Sequence, residues 1–141
     1  MLFMVGIERP ANDSEAFGII VPVFEKLGYG CISAADTREE LLFKAKEVIL
    51  LMAEEVIIDG HLIESLNDGY QDYQSQHSDF SEWLALDVSI DALKGKQKRI
   101  NITMAQPFLE RVDSFVEFHH EFKDRSDFLA KAADNLMKQS A

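Results

Sequence analysis

The chain is poor in the residues that staple or anchor a protein. A single cysteine, Cys31, in 141 residues excludes an internal disulfide and fits a reducing cytoplasm. Its neighbours Gly30 and Ile32 make it a small buried residue rather than a nucleophile. The longest apolar run, residues 48–53, is far short of the roughly 20 residues that span a bilayer. The apolar start, Met1 to Val5, has no basic region before it and meets Glu8, Arg9 and Pro10 at once, so no signal peptide is expected. Internal repeats and low-complexity tracts are absent from the sequence. Basic residues are scarce where most of the chain lies: residues 1–93 hold five Lys/Arg against eighteen Asp/Glu, a net −13. Residues 94–141 hold nine against seven, a net +2. That asymmetry points to two tasks, an acidic part for a basic partner and a near-neutral part that tolerates phosphates.

What is present is a real core and clear periodicity. Hydrophobic residues make up 47% of the chain, ten of them Phe, which argues against wholesale disorder. Residues 2–7 and 16–23 read as apolar strands around a turn at Pro10 to Ser14, and residues 29–34 read as a third. Thr37 and Glu40 have the spacing of a capping box. Behind them Leu41, Leu42, Ala45, Val48, Ile49, Met52 and Val56 form a stripe suited to a sheet. Residues 57–80 are poorer in pattern and read as partial helix plus exposed loop. In residues 83–90, Leu84, Leu86, Val88 and Ile90 alternate with Ala85, Asp87 and Ser89, as in a strand with one buried face. The expectation is an α+β chain with a βββαβ domain over residues 1–93 and a polar linker over 94–98. A second domain follows over residues 98–141.

The second domain begins with strict alternation: Ile100, Ile102 and Met104 on one face, Arg99, Asn101 and Thr103 on the other. Two helices follow. The first opens at Gln106-Pro107 and is expected to bury Phe108, Leu109, Val112, Phe115 and Val116. The second is expected to open with Ser126 as N-cap and to bury Phe128, Leu129, Ala132, Ala133, Leu136 and Met137. A lone strand ahead of two helices has no partner for its backbone groups inside its own module, and each buried unpaired group costs about 1–3 kcal/mol. Pairing with the same strand of a second chain solves this across a two-fold axis. The resulting two-stranded ribbon fits the major groove of B-DNA. There Arg99 can hold guanine, Asn101 adenine and Thr103 a polar edge or the thymine methyl. Lys98 flanks the ribbon. Arg125 and Ser126, at the start of the second helix, are placed for a phosphate. The plainer reading of the same residues is a solvated strand face.

Catalysis and metal binding have weaker support. Hydrolysis of phosphodiesters through paired Mg²⁺ needs about three or four converging carboxylates. Glu8, Asp36 and Asp87 lie near strand ends, where solvated acids are common. His119 and His120 are adjacent on a helix and point apart by about 100°, while His61 and His77 stand alone in loops. No catalytic residue, cofactor or metal is expected.

Specific motifs sharpen this. Arg-Ile-Asn-Ile-Thr-Met (99–104), then Pro107, Leu109-x-x-Val112-Asp113 and Arg125-Ser126-x-Phe128-Leu129 closely resemble the ribbon-helix-helix family. There the outward strand residues read bases and the second helix clamps phosphate. Taken whole, the chain resembles the HicB-type antitoxins. The resemblance runs through Ala-Phe-Gly-Ile-Ile-Val-Pro (16–22), Gly-Cys-Ile-Ser-Ala-Ala-Asp-Thr-Arg-Glu-Glu-Leu (30–41), Trp-Leu-Ala-Leu-Asp-Val-Ser (83–89) and Gly-Lys-Gln-Lys-Arg-Ile-Asn-Ile-Thr (95–103). It departs at residues 25–28 and at Ala35. The resemblance implies a degenerate RNase H-like N-terminal domain that covers a HicA-type mRNA-cleaving toxin. It also implies a ribbon-helix-helix homodimer that represses its own operon by binding operator DNA, with dimer against tetramer left open. It does not say which residues touch the toxin. A rival expectation is a stand-alone ribbon-helix-helix regulator whose first domain senses a ligand or a protein.

Overall fold

A computed structural model describes residues 1–140 of the chain. It resolves into two compact units, Met1–Gly95 and a second beginning at Lys96.

The first unit follows the order β1 (Leu2–Glu8), β2 (Phe17–Ile20), β3 (Ile32–Ala35), α1 (Leu41–Ile58) and β4 (Glu82–Asp87). All pairings are antiparallel and the sheet order is β3-β2-β1-β4. The three-stranded meander expected from the short turns is therefore present, and β4 returns to pair with β1. Strand β1 is central, and its alternation decides the layering. Phe3, Val5 and Ile7 face α1 and enter the main core with Ile19, Val21, Ala45, Ile49, Ala53 and Val56. The alternation read in residues 83–90 also holds: Val88 and Ile90 are buried and Ala85, Asp87 and Ser89 exposed, although the strand itself stops at Asp87.

Several local expectations shift. β2 ends at Ile20 because Pro22 cannot donate to a ladder and instead opens a 3-10 turn over Pro22–Leu27. That turn carries Phe24 into the core, stacked on Phe3 with ring centroids 5.8 Å apart. Gly28 closes it with φ of 83°, a left-handed conformation that glycine adopts without steric cost. The third strand consequently starts at Ile32 rather than at Tyr29. The capping box is not formed. Thr37 makes no side-chain cap bond, its backbone carbonyl accepts from the Glu40 amide at 3.3 Å, and residues Arg38–Glu40 make a 3-10 turn before α1. Leu42, assigned to the sheet-facing stripe, points outward instead.

The opposite sheet face is covered by a loop with little regular structure, the segment whose pattern was poor in the sequence. Trp83 lies across it and donates its indole N–H to the Phe80 carbonyl and the Gln74 side chain, both at 2.9 Å. A Cβ at Gly6 would sit 2.7 Å from the Trp83 ring and 2.9 Å from Ile20, so glycine is needed for the indole to seat. Tyr73 donates to Asp68 at 2.9 Å, and burial, followed by that bond, pushes its hydroxyl up to about 12. Cys31 is buried as expected. Its thiol is pushed up to about 12 by desolvation, which leaves no thiolate for nucleophilic chemistry at neutral pH.

The second unit contains α2 (Gln106–Phe118) and α3 (Arg125–Ser140). Its hydrophobic centre is aromatic: Phe115 and Phe128 lie 5.3 Å apart and Phe122 meets Phe128 edge-on at 5.1 Å. Among the described residues, no helix is long and apolar enough to cross a membrane.

Candidate nucleic-acid interface

The residues assigned to DNA contact fall in two places of the second unit. Lys98, Arg99, Asn101 and Thr103 lie on an exposed segment that precedes α2 and takes part in no sheet. Among the described residues, no backbone or side-chain hydrogen bond involves residues 96–104. The strand expected over residues 98–104 is thus absent from the single chain, and for the reason already visible in the pattern: nothing in the chain supplies its ladder partner. Its apolar side is equally unmatched, with Ile100 68% and Ile102 57% exposed.

The helices behind it are in the same condition, which corrects the sequence reading. Of the ten or so side chains expected in a C-terminal core, Val112 alone is buried, and α3 has no buried residue. Phe108, Phe115, Leu136 and Met137 are exposed, and so is Phe118 at the end of α2. Forty-odd residues cannot enclose this much apolar surface by themselves. An exposed patch of this composition marks an interface.

The start of α3 is also built differently from expectation. Ser126 is not the N-cap; it is exposed in the first turn. The cap is Asp124, whose carboxylate accepts the Asp127 amide at 2.8 Å, while the Asp127 carboxylate accepts the Lys123 amide at 3.0 Å. This reciprocal pair satisfies two amides that a helix start leaves open. The Lys123 amide, aided by Lys131, holds the Asp127 carboxyl below its usual range. The sequence signal for this was the acid spacing Asp124-x-x-Asp127, which Ser126 masked.

Arg125 does not stand free. It makes two bonds to Asp113 of α2, at 2.9 and 2.8 Å, and holds that carboxyl below its usual range. The pair is exposed on both sides, so solvent screens it and it contributes little to stability. It ties the two helix starts together, a role that the sequence reading did not assign. Gln106 rather than Pro107 is the first helical residue of α2, a shift that leaves proline where its missing N–H costs nothing.

The first unit shows no arrangement suited to phosphodiester cleavage. Glu8 pairs in register with Gly18, and Asp87 with Leu2, so the two acids stand at opposite ends of β1. Six residues of strand separate them by roughly 20 Å. Asp36 follows β3 at the Glu8 end. Among the described residues, no group of three His, Cys, Asp or Glu side chains is placed to hold a metal ion. His119 stacks on Phe115 at 3.7 Å and its Nδ1 lies 2.7 Å from the Phe115 carbonyl. His77 approaches Glu25 at 3.4 Å and packs by Phe80 and Trp83.

An antiparallel sheet with one covering helix, followed by a strand-like segment and two helices, is the architecture of a binding protein with a separate assembly module. Comparison with known proteins gives the family. The model of the HicB-like antitoxins of bacterial toxin–antitoxin systems matches residues 3–133, and the chain belongs to that family. It is 36% identical over 138 residues to a protein of Haemophilus phage HP1 described as "Uncharacterized 14.9 kDa protein in rep-hol intergenic region", covering 97% of this chain and 98% of that one. The fold is similar to the crystal structure of antitoxin HicB3, with a TM-score of 0.57 and 22% identity over 95% of this chain and 96% of that one. The Burkholderia pseudomallei antitoxin HicB aligns over 100% and 99% of the two chains at 22% identity, with a TM-score of 0.48.

Proposed function

We propose that this HicB-like antitoxin neutralises a HicA-type mRNA-cleaving toxin by direct binding and represses transcription of the operon that encodes both. The first unit is the toxin-binding part, a degenerate RNase H-like domain that binds without catalysis. The second is a ribbon-helix-helix module that forms a homodimer and reads operator DNA. Both act in the cytoplasm.

The observation that carries the DNA-binding half is the unpaired segment over residues 98–104. It alternates apolar and polar side chains, has no ladder partner in its own chain and precedes two helices whose apolar sides are open. A second copy placed across a two-fold axis supplies the missing strand and covers Ile100, Ile102 and Met104 in one step. The outward side of the ribbon then repeats Arg99, Asn101 and Thr103 twice. The toxin-binding half is supported by family membership and by the excess of eighteen acids over five bases in residues 1–93. A protein that grips RNA must present Lys and Arg to phosphates, and an acidic partner is complementary to that surface.

Growth assays test the first half. Expression of the protein encoded by the adjoining reading frame is expected to arrest growth and deplete mRNA, and co-expression of this chain is expected to restore both. Arrest that persists at excess antitoxin counts against neutralisation. For the second half, Arg99→Ala is expected to weaken operator binding by about 1–3 kcal/mol, the loss of one bidentate base contact, with toxin binding unchanged. Equal operator affinity for the variant in a fluorescence anisotropy titration removes Arg99 from the readout face.

A further inference from the structure

Helix α1 is apolar on two sides, and its own fold needs one. Leu41, Ala45, Ile49, Ala53 and Val56 are buried against the sheet and the turns around it. On the side opposite them Phe43, Glu47, Leu51, Glu54 and Ile58 follow at spacings of four, four, three and four, and so share one face. Phe43 is 66% exposed, Leu51 57% and Ile58 68%. Three large apolar side chains in line on the outer face of a helix are unusual in a helix that ends its packing at its own sheet. Helices with apolar residues all round are covered on all sides in the working assembly.

The order of the residues selects the occupant. Two carboxylates, Glu47 and Glu54, are interleaved with the apolar residues, and Lys44 reaches Glu47 only from the flank, at 3.9 Å. If a second copy docked here across a two-fold axis, the helices would cross antiparallel about the Leu50–Leu51 midpoint. Phe43 would then meet Ile58, but Glu47 would meet Glu54 of the other copy twice over, and facing carboxylates repel. A partner that offers apolar residues flanked by Lys or Arg satisfies the whole stripe.

We infer that the outer face of α1, built from Phe43, Glu47, Leu51, Glu54 and Ile58, is the surface on which the antitoxin receives its basic, RNA-binding protein partner. This rests on the antitoxin reading above and adds to it the place of contact. The apolar residues form the desolvated centre of the interface, where a few large side chains carry most of the affinity. The two glutamates steer encounter and pair with cations at the rim.

The test uses the full-length chain and, as probe, the purified protein encoded by the adjoining reading frame, with binding followed by titration calorimetry. Phe43→Asp combined with Leu51→Asp is expected to weaken binding by ~30-fold or more, the scale of lost hot-spot residues. Both positions are exposed, so the helical circular dichroism, the urea midpoint and operator binding are expected to stay at wild-type values. Glu47→Lys with Glu54→Lys, a pair that keeps helix propensity should the first variant fold poorly, is expected to slow association and flatten its salt dependence. Wild-type affinity in both variants overturns the assignment while the antitoxin reading stands. A wild-type chain that does not bind the probe at all overturns that reading and the assignment with it. A fall in oligomeric state caused by the α1 variants also overturns it, because the occupant is then a second copy.

Discussion

Phe24→Ala is expected to lower the stability of the N-terminal unit by about 3–5 kcal/mol, the range for removing a large aromatic from a packed core. Phe24 is fully buried and stacks in parallel on Phe3, the first core residue of the central strand. It comes from the 3-10 turn that Pro22 starts, so it ties the β2–β3 connection to β1 as well as filling space. A domain of this size is stable by roughly 5–15 kcal/mol, and the substitution therefore removes a large share of the total. The chain contains one tryptophan, Trp83, which lies across Gly6 of the same sheet. Its fluorescence in urea reports unfolding of this unit without a contribution from the second. Toxin binding is expected to fall with the folded fraction, and operator binding to persist. A loss below about 1 kcal/mol would mean that the stack on Phe3 is dispensable, since even Ile→Val in a core costs that much.

Ile100→Asp together with Ile102→Asp is expected to convert the protein to a monomer and abolish specific operator binding. Both side chains are largely exposed in the single chain, so the substitutions cost nothing there. In the proposed ribbon they place four carboxylates, two per chain, at the buried centre of the dimer, where unpaired charge is strongly unfavourable. Without the second strand neither the ribbon nor its doubled reading face exists. Specific binding exceeds non-specific binding by roughly 10³–10⁷, and a loss of at least about 10³ is the expected scale. Sedimentation velocity reads the assembly and anisotropy reads the DNA. Arg99→Ala, on the outer face, serves as the contrast: it stays dimeric and loses only one contact per chain. A doubly substituted chain that still sediments as a dimer and still shifts its operator would sink the ribbon-helix-helix assignment.

Much of the first unit follows from local pattern. The order βββαβ, the buried alternation around Val88 and Ile90, the α1 stripe and the burial of Cys31 were all visible in residue spacing, because period and polarity act over a few residues. The misjudged positions share a cause. At Thr37 and Ser126 a residue suited to capping was available, yet the backbone used another group nearby. The Thr37 carbonyl served in one case and the Asp124 carboxylate in the other. Which of several adjacent acceptors wins depends on where the chain enters the helix, and packing sets that entry. Leu42 and the apolar residues of α2 and α3 were misplaced differently. Their periodicity correctly announced burial but not whether the covering surface belongs to the same chain.

The alternation over residues 98–104 makes the same point most sharply. Sequence alone determined that Ile100, Ile102 and Met104 share one side and Arg99, Asn101 and Thr103 the other, since successive side chains on an extended backbone point oppositely. It also determined the acidic first part, the near-neutral second part and the family. Tertiary structure decided what a one-dimensional pattern cannot carry. It set Glu8 and Asp87 at opposite ends of β1, bound Arg125 to Asp113, and left the segment before α2 unpaired and the outer face of α1 uncovered. Burial is a property of three-dimensional surroundings, and the pattern that demands a partner does not contain the partner.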